Sequence, residues 1–204
     1  MVTIKANAFE HRVWWVKNDI IRILFLLGIP ILLMLFLPNI NWQFLGLSTT
    51  NFSNQLQLGL LFGVLSFIIC FVIQLYSADR PDYRQELRAT LFFSPYLFFV
   101  NAFVEEFFFR GFIQSSLSQI IGNPIPLIIL SALIFGAYHI PMFKWSKEKA
   151  FIAFLGGLLF GVLFYYTKSL FVVWLAHGFG DLGLVHEAVA GYFIWTKIRY
   201  KELE

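Results

Sequence analysis

The sequence predicts an all-α fold, a polytopic membrane helix bundle of about six transmembrane helices forming one integral membrane domain over residues 1–204. Three observations predict it. Hydrophobic residues make up 59% of the chain and charged ones only 13%, whereas a soluble domain covers itself with about 25% charged residues. Apolar runs long enough for a helix to cross about 30 Å of hydrocarbon recur along the chain. Lysines and arginines gather at alternate ends of those runs, as they do in cytoplasmic loops. The 26 Phe and six Trp residues also suit a surface facing acyl chains and headgroups.

The first span runs from about Ile20 to Leu37 and stops at Pro38-Asn-Ile-Asn. Its apolar run is long for a signal-peptide core and no small-x-small cleavage site follows, so it reads as an uncleaved first helix. The second covers about Leu56 to Tyr76 and closes at Asp79-Arg-Pro-Asp. The third, about Leu91 to Phe112, is interrupted by Pro95 and holds Glu105, Glu106 and Arg110. A less apolar stretch, Gly111 to Asn123, is either an interfacial helix or the end of that span. The fourth covers about Pro124 to His139, with Pro141 to stop it. The fifth covers about Ala150 to Tyr166, and the sixth about Ser169 to Trp195.

The basic residues test this segmentation separately from hydropathy. Lys5, Arg12, Lys17 and Arg22 precede the first span, and Arg80, Arg84 and Arg88 follow the second. Lys144, Lys147 and Lys149 follow the fourth, and Lys197, Arg199 and Lys201 the sixth; Lys168 is the exception. Both termini are therefore expected in the cytoplasm of a multi-pass cell-membrane protein. Trp14, Trp15, Trp145 and Trp195 then fall at the inner interface, and Trp42 and Trp174 at the outer one. Arg80, Arg84 and Arg88, four apart, read as one face of an interfacial helix touching lipid phosphate.

Several function classes are excluded. A net charge of +3 and a pI near 9.0 come without a basic patch, so no nucleic-acid partner is expected. Cys70 is the only cysteine, which rules out an internal disulfide, a thiolate cluster or a redox pair. His11 reads as solvated, and His186 with Glu187 as a helix-end pair.

Ionisable groups within a bilayer cost several kcal/mol unless paired or facing a wet cavity, so they are functional candidates by default. Glu105 and Glu106 are adjacent, and Glu106 and Arg110 are four apart in the favourable order for neutralising each other. Glu105, about 100° away around the helix, is expected to be free for other work. His139 closes Phe135-Gly-Ala-Tyr-His, where Gly136 and Ala137 admit a close neighbour. His177 and Asp181 are four apart on one helical face. Depth counting places Glu105 about 15 Å from Pro95, His139 about 20 Å from Pro126, and His177 and Asp181 about 12 and 18 Å from Ser169. All four levels fall near the middle of the bilayer. Such a set suits hydrolysis: a buried carboxylate takes a proton from water while imidazoles hold the water or an oxyanion. It also suits a divalent metal such as zinc on Glu105, His139, His177 and Asp181, and the residues alone do not choose between the two. There is no Gly-x-Ser-x-Gly and no adjacent-His metalloprotease motif.

Glu105-Glu106-x-x-x-Arg110, then Phe135-x-x-x-His139, then His177-x-x-x-Asp181 resembles the CPBP family of CAAX-protease and bacteriocin-processing membrane proteins, and is similar to the Ras-converting CAAX endopeptidase. Phe109-Arg-Gly111 and Thr167-Lys-Ser169 add to the likeness. The resemblance implies an intramembrane peptidase in which Glu105 activates water, Glu106 and Arg110 organise their helix, His139 positions water or stabilises an oxyanion, and His177 and Asp181 complete a water or metal site. Eukaryotic CAAX enzymes usually carry Asn where this chain has Asp181. The implied partner is a hydrophobic or lipid-modified peptide or protein within membrane lipid. Two other classes compete: a noncatalytic immunity or binding protein for a membrane-active peptide, and a proton-coupled transporter, for which the repeated halves are missing.

Overall fold

The structure, a computed structural model, describes residues 19–77, 91–142 and 147–185. The readings made for His11, Trp14, Trp15, Arg80, Arg84, Arg88, Trp145, His186, Glu187 and Trp195 lie outside the described residues. So do most of the loop lysines and arginines.

Every element among the described residues is helical. They are α1 (Ile20–Phe36), α2 (Phe52–Ser77), α3 (Leu91–Ser118), α4 (Pro124–Met142), α5 (Lys147–Thr167) and α6 (Leu170–Val185). Four of them, α2 to α5, are long and apolar enough to cross a membrane; α1 and α6 are shorter apolar helices packed among them. Large hydrophobic side chains such as Leu24, Leu35, Leu61, Ile69, Leu133 and Phe151 stand on the outside, which is where lipid replaces water as the solvent. The chain is thus a multi-pass helical membrane protein.

The structure sharpens two boundaries. α3 runs on past Phe112 to Ser118, so the less apolar stretch from Gly111 begins as the end of the third span, because its polar residues satisfy themselves without leaving the helix. Gln114 Nε2 donates to Gly161 O at 2.8 Å, and Ser118 Oγ to Ser115 O at 2.7 Å. Their polarity lowers the hydropathy while the backbone stays helical. α1 ends at Phe36, one residue early, where Leu37 turns extended ahead of Pro38.

Glycines set the packing. α2 lies along α6, and a Cβ on Gly59 would come within 2.6 Å of Leu175 Cδ1, one on Gly63 within 2.6 Å of Phe179 Cδ2, and one on Gly183 within 2.5 Å of Phe67 O. Removing the side chain lets the two backbones approach, the usual device in lipid, where no hydrophobic force draws helices together. α4 lies along α5 through Gly136 against Phe154 and Gly157 against Ala132.

The buried apolar residues fall into two clusters. One gathers Leu45, Phe107, Phe160, Leu163, Phe164 and Leu170 with neighbouring α6 residues; the other gathers Leu26, Val104, Phe109 and Phe135. α3 contributes to both and carries its charged residues between them. Leu45 belongs to the α1–α2 connection, whose Gly46 adopts a left-handed φ of +80° and accepts Leu170 N–H at 2.9 Å. Ser169 Oγ, which donates to Gln55 Oε1 at 2.6 Å, also accepts Val172 N–H at 3.3 Å and so caps α6.

Candidate active site

The α3 backbone is unusual where its carboxylates sit. A five-residue α segment, Ala102–Glu106, is flanked by π-helical turns at Leu97–Asn101 and Phe107–Gln114. A π turn widens the helix and displaces carbonyls from their normal partners, and such turns are frequent at functional sites. Trp174 Nε1 donates to Phe98 O at 2.7 Å, and its half-buried ring packs among Phe98, Phe99, Phe103 and Phe171. Trp174 is therefore a strut between α6 and α3.

Glu106 and Arg110 meet as their spacing predicts, Nε to Oε2 at 3.2 Å with both side chains fully buried. The guanidinium lies 4.3 Å from the Phe135 ring centre and 5.7 Å from that of Phe160, an attraction that strengthens when desolvated. Its Nη2 donates to Gly157 O at 3.3 Å. The other oxygen of Glu106, Oε1, lies 2.7 Å from His177 Nδ1. A carboxylate only accepts, so the proton of that bond belongs to Nδ1, and His177 Nε2 faces the opposite way. There it lies 3.4 Å from Asp181 Oδ1 and 3.9 Å from Glu105 Oε2.

His139 is fixed by the same logic. Its Nδ1 is 2.9 Å from Phe135 O, a carbonyl that can only accept, so Nδ1 carries the proton and Nε2 faces Glu105 Oε2 at 3.6 Å. Glu105 Oε2 is buried and has no hydrogen-bond partner within the protein. Four side-chain atoms thus converge: Glu105 Oε2, His139 Nε2, His177 Nε2 and Asp181 Oδ1. All six residues singled out in the sequence come together at one place.

Glu105 stays clear of Arg110, as the helical geometry predicts, but it is not without a charge partner. Arg22 Nη1 donates to Glu105 Oε1 at 2.7 Å, so this carboxylate has its own cation on α1. Sequence reading took Arg22 for a topology marker. It also passed over Asp19, Asn101 and Tyr138, which surround that guanidinium, and Tyr96, whose hydroxyl donates to Asp19. A signal was available for Asn101, an amide in an apolar run four residues before Glu105. None was available for the Arg22 pairing, which joins residues 83 apart.

As for a metal, no group of three or more His, Cys, Asp or Glu among the described residues is placed to hold one, and the guanidinium of Arg22 already engages Glu105.

Residues 87–183 match the model of the Rce1-like family, described as type II CAAX prenyl endopeptidase Rce1-like. The matched segment contains all six residues of the cluster, and the match is consistent with the CAAX-protease likeness of the motifs. No curated protein and no solved structure matches the chain.

Proposed function

We propose, from the premise that residues 87–183 match a family of CAAX prenyl endopeptidases, that the chain is an intramembrane endopeptidase using a water activated by Glu105. One observation carries the reading: a buried carboxylate oxygen, Glu105 Oε2, without a protein hydrogen bond, faced by the Nε2 atoms of His139 and His177 at 3.6 and 3.9 Å. Both distances exceed a direct hydrogen bond, and polar contacts of that length are where a bridging water belongs, the reactant a hydrolase needs.

In this mechanism the His139 imidazole accepts one O–H of the water and orients it, while Glu105 takes the other proton. The oxygen attacks the carbonyl carbon of the scissile peptide. His177, flanked by the Glu106 and Asp181 carboxylates, donates from a protonated Nε2 to the resulting oxyanion. When the C–N bond breaks, the proton held by Glu105 passes to the leaving amine, giving a carboxylate and an amine. Glu106 and Arg110 hold the His177 ring by its Nδ1–H, and Asp181 borders the water site on its more open side, its side chain 17% exposed.

The substrate would be a hydrophobic or lipid-modified, CAAX-like polypeptide in a cell membrane, with both termini of the enzyme in the cytoplasm. This rests on the family match and the lipid-facing helices. The test is cleavage of a panel of prenylated and plain quenched peptides by the detergent-purified chain beside Glu105→Gln, with and without a chelator. Cleavage by the wild type should fall by about 10²–10⁴-fold in the variant and survive the chelator. Full activity in Glu105→Gln would sink the assignment, and loss on chelation would instead place a divalent ion among Glu105, His139, His177 and Asp181. A folded protein that cleaves nothing would favour a peptide-binding role.

A further inference from the structure

Arg22 stands on α1, outside the segment that matches the family, yet it touches the reacting group of the proposed mechanism. All five of its guanidinium N–H bonds have acceptors. Nε and Nη2 donate to Asp19 Oδ1 and Oδ2, each at 2.5 Å. Nη2 also donates to Asn101 Oδ1 at 2.7 Å, and Nη1 to Glu105 Oε1 at 2.7 Å and Tyr138 Oη at 3.1 Å. The amide of Asn101 continues the chain, its Nδ2 donating to Asp181 Oδ2 at 3.1 Å. One guanidinium thereby holds the outer oxygen of Glu105 directly and the outer oxygen of Asp181 through one amide. In both carboxylates the other oxygen is the one turned toward the imidazoles, at 3.6 and 3.9 Å for Glu105 and 3.4 Å for Asp181.

We propose that Arg22 is a positioning residue of the active site, which aims Glu105 directly and Asp181 through Asn101 at the attacking water, with Asp19 holding the guanidinium in place. The inference rests on the proposed peptidase reading. A clamp that only tied α1 to α3 would be complete with Asp19 and Glu105; it would not need the arm to Asp181 on α6. The five-donor fork also sets the residue type, because a lysine in its place offers three donors from one nitrogen and cannot grip both carboxylates.

The experiment is steady-state cleavage by the purified full chain and by Arg22→Gln, Arg22→Lys and Asn101→Ala, with Glu105→Gln in parallel. A carboxylate misaimed by about 1 Å costs about 100-fold, so Arg22→Gln should lose about that factor in kcat with KM within about threefold of wild type. Arg22→Lys should recover about tenfold of the loss by restoring the charge, and Asn101→Ala, which cuts the arm to Asp181 and removes one of the five acceptors of Arg22, should lose about tenfold in kcat. Wild-type kcat in folded Arg22→Gln, or a loss confined to KM, would overturn the proposal. Should Arg22→Gln fail to fold, Asn101→Ala decides alone, and unchanged kcat there removes the Asp181 arm.

A melting-temperature cycle of Arg22→Gln, Glu105→Gln and the double variant supplies a readout that does not depend on turnover. Coupling, seen as a double variant more stable than the sum of the two single shifts predicts, supports the pairing, and additive shifts refute it. A wild-type chain that cleaves no peptide would bring down the peptidase reading and the catalytic part of this inference, while the cycle still judges the pairing.

Discussion

Glu105 and Glu106 are neighbours in sequence with opposite surroundings. Glu106 is sealed among Arg110, His177 and two aromatic rings, whereas Glu105 shares its oxygens between Arg22 and the histidines. Removing the cation from the sealed pair should therefore be a stability defect first. Arg110→Met leaves the Glu106 charge buried and uncompensated and is expected to cost about 3–5 kcal/mol, to be read as a lowered unfolding midpoint in detergent. Glu105→Gln should fold, since its amide oxygen still accepts from Arg22. The Glu106–Arg110 and His177–Asp181 pairs were legible in the sequence because helical geometry puts residues four apart on one face. Arg22 was not, because an arginine at the start of an apolar run beside a basic tail looks like any inner-boundary charge, and its partners are distant in sequence.

At the scale of elements, the α2–α6 seam depends on missing side chains, and the three glycines there differ in what they face. Gly59 and Gly63 meet side-chain atoms, which can shift, but Gly183 meets the backbone oxygen of Phe67. Gly183→Ala should consequently cost about 1–3 kcal/mol by overpacking, measured as a lower melting temperature, with Gly28→Ala as control because nothing lies within 4 Å of a Cβ there. Displacing α6 also moves His177 and Asp181, so cleavage should fall along with stability. Six apolar segments were readable from hydropathy and the pattern of basic residues. The π turns of α3 were not, since a widened turn leaves no compositional trace.

Taken as a whole, the molecule has its polar cluster between two apolar ones, with its most exposed members, Asp181 and Arg22, on the side of α1 and the far end of α6. The sequence placed the four reactive groups at similar depth by counting residues, and the structure brings them within reach of one another; what counting cannot supply is the order of helices around the site. The lengths of those helices have a further effect on the bilayer itself. With 17 residues, α1 is about 25 Å long, short of the roughly 30 Å of hydrocarbon it meets, whereas the 28 residues of α3 reach about 42 Å. Hydrophobic mismatch of this kind is relieved by local thinning of the lipid or by tilting the longer helix. Thinning beside α1 would lower the headgroups toward Arg22 and shorten the path from water to the buried carboxylates. Turnover should then depend on acyl-chain length, running several-fold faster in dimyristoyl than in dierucoyl phosphatidylcholine vesicles, and equal rates in the two would show that the protein, and not the membrane around it, absorbs the mismatch.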